Sequence, residues 1–351
     1  MYQLKIENKK ININSPIYII AEAGVNHNGS IKKAKKLIDV AVKAKADAVK
    51  FQTFKAENII IPKGPKAKYH IETTGKDKKL SWFDLLKSQE ISKKMHMELI
   101  KYCKKKKITF LSTPYDKDSA TLLNKLKVSA FKIASTDNDN YPFIIFLKKF
   151  RKPVILSTAM SNFEEVKLAY KILKSSNFKN FSIMQCTGNY PTKIENVHLN
   201  VIDNFIKNFK CPIGFSDHTM DTTAALAAVG KGVKIIEKHF TLDKKLNGPD
   251  HRMSLEPSEL IHYVKEIRKA EKALGNYQKK VINSEIENRK KLKKSLVSSK
   301  NILKGQRINR NMIDIKRPAY GLRPIDINRI IGKTAKFTIK KYTVLKKTMF
   351  K

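Results

Sequence analysis

The chain alternates between two hydrophobic rhythms. Short, nearly unbroken apolar runs recur at 16–24 ("PIYIIAEAG"), 48–54, 108–115, 130–136, 153–160, 181–188, 212–218 and 234–242. Between most of them, at 31–46, 118–126, 162–173 and 222–231, the apolar positions are three and four residues apart. The first pattern reads as strands buried on both faces and the second as amphipathic helices. Together they predict an α/β fold with a parallel sheet wrapped in helices. Eight such units point to a (β/α)8 barrel over 1–284. A doubly wound open sheet is the alternative, with one ligand crevice at its switch point. Two connections are long, a polar one at 55–90 and another at 243–257, and long connections in compact domains are functional or disordered. A highly charged stretch at 285–295 reads as a linker. Beyond it, 296–351 forms a small second domain, with short strands and turns marked by "KG", "YG" and "IG". A domain of that size is marginal alone and is expected to dock on something.

Polar groups gather where the strands end. Glu22 closes the first run, with Asn26 and His27 just beyond; Lys50 and Gln52 lie in the second. Ser112 and Thr113 follow in the third, Lys132, Ser135 and Asp137 at the fourth, and Ser157 and Thr158 at the fifth. Gln185 and Thr187 end the sixth, Ser216, Asp217 and His218 the seventh, and Glu237, Lys238 and His239 the eighth. Core packing gives no reason for this bias, whereas a barrel with its active site at the C-terminal ends of the strands does. Lys50 and Lys132 sit inside apolar runs, where a lysine needs an anionic partner. With hydroxyls nearby, the pair suits a phosphate or carboxylate held by side chains, because no glycine-rich phosphate loop is present. Glu22 is an alternative partner for Lys50. His218 and His239, on neighbouring strand ends, can converge on one divalent metal; a structural or solvated role is the alternative. Asp250 and His251 read equally well as surface residues.

Charge and composition change this picture little. The formal net charge is +41 over 351 residues, which raises nucleic-acid binding as a possibility. The basic residues are overwhelmingly lysines spread along the chain, however, and no arginine precedes Arg151. A nucleic-acid surface concentrates its charge and uses arginine forks. The excess should instead speed encounters with small anions. Cys103, Cys186 and Cys211 are widely spaced and form no metal or disulfide pattern. No run spans a membrane and the start is not a signal peptide, so a cytoplasmic protein is expected.

The motifs "IAEAGVNHNG", "VKFQTFKAENI", "FLSTPYD", "KIASTDNDNYPFI", "ILSTAM", "CTGNYPT", "IGFSDHT", "EKHFTLD" and "GPDHRMSLEP" stand in collinear order over almost the whole chain. As a set they resemble the sialic acid synthase (N-acetylneuraminate synthase) family. "SLVSSKNILKGQRI" and "IKRPAYGL" look like its C-terminal SAF, or antifreeze-like, domain. The resemblance implies a TIM barrel and a reaction. Phosphoenolpyruvate condenses with an open-chain N-acetylated amino sugar, and phosphate is released. It also implies roles. Lys50, Thr113, Lys132, Ser135, Ser157 and Ser216 would hold phosphoenolpyruvate. Glu22, Gln52, Asp137, Tyr190 and Asp250 would hold or orient the sugar, with Asp137 stabilising the cation formed at C2. His218 and His239 would bind Mn2+ or Mg2+. Arg317 would reach the N-acetyl group from the small domain of the partner subunit in a head-to-tail, domain-swapped homodimer.

The chain departs from the family pattern at Thr136–Asp137 (often Gly-Glu), at Gln185 (often His) and at "RPAYGL" (commonly "RPGxGI"). These changes bear on the sugar, for which N-acetylmannosamine and 2,4-diacetamido-2,4,6-trideoxymannose are the candidates. Two other functions compete: a 3-deoxyoctulosonate- or heptulosonate-phosphate type of synthase, and a polyanion-binding protein without catalysis.

Overall fold

The computed structural model describes residues 2–66, 68–73 and 80–351. The chain divides into two compact units, 1–275 and 276–351. The first unit opens with an antiparallel hairpin, β1 (Leu4–Ile6) and β2 (Lys9–Ile11). Eight parallel strands follow: β3 (Tyr18–Gly24), β4 (Ala48–Thr53), β5 (Thr109–Pro114), β6 (Phe131–Ile133), β7 (Val154–Ser157), β8 (Phe181–Cys186), β9 (Ile213–Asp217) and β10 (Ile235–His239). They pair in chain order, and β10 returns to β3, which closes the barrel. The open-sheet alternative is thereby set aside.

Helices α1 (Ile31–Lys43), α5 (Lys93–Lys106), α6 (Lys117–Lys125), α7 (Tyr141–Lys148), α8 (Phe163–Lys174), α9 (Asn200–Asn208), α10 (Thr223–Gly230) and α11 (Pro257–Leu274) follow the strands in turn. Most start on a side-chain cap of the kind that satisfies free backbone N–H groups. Ser30, Ser92, Asp116 and Asn162 accept from the third helical residue of α1, α5, α6 and α8. The 55–90 connection differs from the polar loop expected. It carries α2 (Ala56–Ile59), α3 (Lys68–Thr73) and α4 (Trp82–Gln89). It is pinned by Lys55–Glu90 at 2.7 Å and Lys87–Glu57 at 2.8 Å.

Strand residues alternate between the faces of the wall, and that alternation sorts the strand-end polar groups. Val49 and Phe51 pack outward under the helices, whereas Ala48 faces the barrel axis. Lys50 and Gln52 therefore follow Ala48 inward. By the same rule Glu22, Thr113, Lys132, Ser157, Ser216, Glu237 and His239 point in. Ser112, Gln185, Asp217 and Lys238 point out. The inner floor is apolar: Leu4, Ile6 and Ile11 of the hairpin close it against Ile20, Leu111 and Ile155. The barrel is thus plugged at the N-terminal ends of its strands and polar at the other.

The second unit contains α12 (Ile286–Leu292) and a two-stranded sheet, β11 (Ser295–Ser298) with β12 (Ile313–Lys316). Its own small core includes Leu296, Ile302, Ile308, Met312 and Leu345. Single bridges such as Ile302↔Ile339 and Ala335↔Phe350 stitch the rest.

Candidate active site

A cavity of about 630 Å3 opens at the C-terminal ends of the barrel strands. At its base lies a buried cluster of four charges. Lys50 Nζ is 2.8 Å from Glu22 Oε2 and 3.7 Å from Glu237 Oε2, and it donates to Thr113 Oγ1 at 2.9 Å. Lys132 Nζ donates to Glu237 Oε1 at 3.2 Å and to Ser157 Oγ at 2.6 Å. Ser216 Oγ donates to the same Glu237 oxygen at 3.2 Å. Burial alone would drive these groups neutral. It lifts Glu22 to about 7, with Glu237 adding to the rise and Lys50 opposing it. For Lys50 burial is outweighed by Glu22 and Glu237, which hold it above the usual lysine value. Lys132 is lowered by burial, with Glu237 only partly compensating. Burial likewise opposes ionisation of Glu237, but Lys132 and Lys50 outweigh it and hold this carboxyl below the usual range. Two lysines facing one carboxyl held ionised and another lifted to about 7 suit an entering anion.

Beside this cluster stand the two histidines, their ring centres 5.5 Å apart. His218 Nδ1 donates to the Thr187 carbonyl at 2.7 Å, which leaves Nε2 as the lone-pair nitrogen. Burial first, then the neighbouring His218 and lysines, hold His239 well below the usual histidine value, so it is neutral. Its Nδ1 is buried without a hydrogen bond, 3.8 Å from Asp250 Oδ2. Tyr190 lies against both rings, at 4.1 Å from His218 and 5.9 Å from His239. Two imidazoles beside the Asp250 carboxyl group, His239 with an unpartnered nitrogen, are the donor types a divalent cation takes alongside water or substrate. Among the described residues no cluster of three or more His, Cys, Asp or Glu side chains is arranged to hold a metal.

Glu22, Gln52 and Asp250 converge around Gly24. A Cβ there would sit 3.4 Å from an oxygen or nitrogen of each, and its φ of +51° is in the left-handed region that favours glycine. Gln52 Nε2 donates to Glu22 Oε1 at 3.4 Å. Burial raises Asp250 to about 6. Asp250 and His251 are buried rather than superficial. His251 bonds Thr241 at 2.6 Å and Asn28 at 3.1 Å. Asn26 bonds the Phe240 carbonyl and Ser254. The "NHNG" turn after β3 therefore clamps the 243–257 loop over the cavity. Ile59, Ile60, Trp82, Leu85 and Leu86 of the 55–90 insertion add an apolar wall.

Most of the residues expected at the site thus meet in one cavity, including Ser135, whose Oγ accepts from Ala159 N at 3.0 Å. Three depart. Asp137 is buried in the turn after β6, where it accepts from Asn140 at 2.9 Å, and does not line the cavity. Gln185 faces outward and donates to the Val197 carbonyl at 3.2 Å, away from the sugar side. Arg317 is exposed in the second unit, next after β12. Glu237 is the residue the sequence reading left without a role. Its place in "EKH", two residues before a cavity histidine and on the same face of the strand, was the available signal.

Fold and site together define a (β/α)8 barrel whose cavity sets two carboxylate-balanced lysines beside a pair of histidines. The NeuB family model matches residues 37–279 and the SAF domain model residues 293–351. The chain belongs to the NeuB family, enzymes of the sialic and legionaminic acid synthase kind, and ends in a SAF domain. It is 43% identical over 319 residues to N,N'-diacetyllegionaminic acid synthase of Campylobacter jejuni, covering 90% of this chain and 95% of that one. The enzyme of that name from Legionella pneumophila is 35% identical, with 96% and 97% covered. The crystal structure of an N-acetylneuraminic acid synthetase from Leptospira borgpetersenii, complexed with citrate, superposes with a TM-score of 0.71. Its identity is 34%, and 82% of this chain and 94% of that one are covered.

Proposed function

We propose that this barrel condenses phosphoenolpyruvate with an open-chain N-acetylated amino sugar and water, giving a nine-carbon 2-keto-3-deoxy acid and phosphate. The carrying observation is the buried Lys50–Lys132 pair, with its hydroxyls, beside His218 and His239 in one cavity. Thr113, Ser157 and Ser216, with Ser135 alongside, complete the cradle for the phosphate and carboxylate. The phosphate exchanges places with Glu22 on Lys50, so the lysines neutralise it through the reaction. His218 and His239 would hold a divalent cation, Mn2+ or Mg2+, which when bound would supply Lewis-acid activation of the sugar aldehyde. C3 of the enol attacks that carbonyl carbon and forms the new C–C bond. Positive charge develops at C2, and water adds there. Collapse of the tetrahedral intermediate breaks the C–O bond and releases phosphate. The charge-stabilising role expected of Asp137 passes to Glu237, the ionised group between the lysines. Glu22, lifted to about 7, is placed to exchange the proton of the attacking water. Gln52, Tyr190 and Asp250 orient the sugar.

Between the two candidate acceptors the apolar wall favours 2,4-diacetamido-2,4,6-trideoxymannose, whose deoxygenated end matches Ile59, Ile60, Trp82 and Leu85. The two relatives named as N,N'-diacetyllegionaminic acid synthases support the same choice.

The test is phosphate release from phosphoenolpyruvate with Mn2+, run in parallel against this sugar and N-acetylmannosamine. Turnover with the diacetamido sugar is expected to exceed that with N-acetylmannosamine. Release with neither, by folded and Mn2+-loaded protein, would overturn the reading. His239→Ala should lose turnover while keeping its fold; undiminished activity of that variant in metal-free buffer would sink the metal assignment.

A further inference from the structure

Strand alternation leaves a second charged group behind the barrel wall. Lys238 on β10 and Asp217 on β9 are register partners, 1% and 0% exposed, on the side of the wall facing α11. Lys238 Nζ is 3.1 Å from Asp217 Oδ2 and donates to the Thr219 carbonyl. It lies 5.4 Å from the ring centre of Tyr263, on α11. Tyr263 Oη donates to the same Asp217 oxygen at 2.8 Å. Asp217 Oδ1 accepts from Thr219 N at 2.8 Å and Thr219 Oγ1 at 2.7 Å. None of these residues lines the cavity. A buried ion pair is a poor source of stability, since packed apolar groups in its place are often neutral or better. Its distinctive property is location. Residues 217 and 219 bracket His218, and residue 238 precedes His239. On β10, fixing Lys238 fixes His239 in the opposite sense, and just beyond β9 the Thr219–Asp217 bonds hold the backbone on either side of His218.

We propose that the Lys238–Asp217–Tyr263 network is a positioning device that sets, from behind the wall, the spacing and aim of the His218 and His239 imidazoles. It ties β9 to β10 at the level of the two rings and ties both strands to α11. The inference rests on the reading of the two histidines as holders of a divalent cation. Loss of the network should weaken cation binding by about 10- to 100-fold, the usual effect of removing groups that orient a ligand.

The experiment titrates metal-free, full-length protein with Mn2+, following free Mn2+ by electron paramagnetic resonance, and records the melting temperature of each variant. The set is wild type, His239→Ala, Tyr263→Phe and the double variant Asp217→Leu/Lys238→Met. The double variant removes both charges together and leaves neither stranded. Wild type is expected to bind, and His239→Ala to lose binding. The double variant should melt near wild type yet bind Mn2+ about 10- to 100-fold more weakly. Tyr263→Phe should weaken binding in the same direction at little change in melting. Wild-type affinity in the double variant would overturn the positioning role and leave the pair a packing feature. If the double variant does not fold, wild-type affinity in Tyr263→Phe overturns it instead. Absence of Mn2+ binding by wild type, or unchanged binding by His239→Ala, would refute the cation reading and this inference with it.

Discussion

Glu22 and Lys50 stand 2.8 Å apart in a space that also has to admit a phosphate. Their competition has a pH signature. Glu22 is lifted to about 7 by burial, so below that pH it is mostly neutral and Lys50 is available to an anion. Above it, the ionised carboxylate reclaims the lysine, and binding must return a proton to Glu22. Phosphoenolpyruvate affinity should therefore fall by about tenfold per pH unit between pH 7 and 9, the slope of one linked proton. Equilibrium dialysis at a series of pH values would measure it. A flat profile for Glu22→Gln together with a sloping wild type is expected; a wild type as flat as the variant would exclude Glu22 as the coupled group. At this scale the sequence was informative about residue types and silent about partners. Lys132 and Glu237 are 105 residues apart and meet only because the barrel closes. Asp137, chosen by likeness of position, turns toward Asn140 instead.

The elements divide the labour between the two ends of the barrel. The β1–β2 hairpin contributes Leu4 and Ile6, both at most 1% exposed, to the floor. Ile6→Ala should lower stability by about 2–5 kcal/mol, the range for truncating a buried Ile or Leu. Urea unfolding would measure this loss, and the rate of phosphate release should stay unchanged. A large drop in rate at wild-type stability would contradict the division. The hairpin is easy to overlook because "LKI" and "KKI" are too short for a periodic signal. The eight barrel strands were legible for the opposite reason, since burial on both faces writes nearly continuous apolar runs. The 55–90 insertion reads as a polar connection, although its "NIIIP" carries part of the apolar wall.

At the scale of the whole molecule two units have to be reconciled with one activity. Arg317 is exposed in the SAF domain, and the cavity residues all belong to the barrel. If each SAF domain serves the partner's barrel, inactive His239→Ala and Arg317→Ala proteins should recover activity when unfolded and refolded together. One site of each mixed dimer would then have both residues intact. No recovery, with mixed dimers shown by mass spectrometry, would exclude exchange between subunits. The net charge of +41 requires no second function, because lysines spread over solvated helix faces attract small anions in any case. No described helix is long and apolar enough to cross a membrane. Local pattern alone determined the strand–helix alternation, the bias of polar groups toward one end of the strands, and the ordered motifs that mark the family. These follow from rules acting over a few residues: the two-residue period of a strand, the helical period and the exclusion of unpaired charge from a core. Tertiary structure alone decided which polar groups face inward together, which carboxylates balance the two lysines, and that Lys238 and Asp217 stand behind the histidines. Those facts depend on barrel closure and register, which bring together residues that are far apart along the chain.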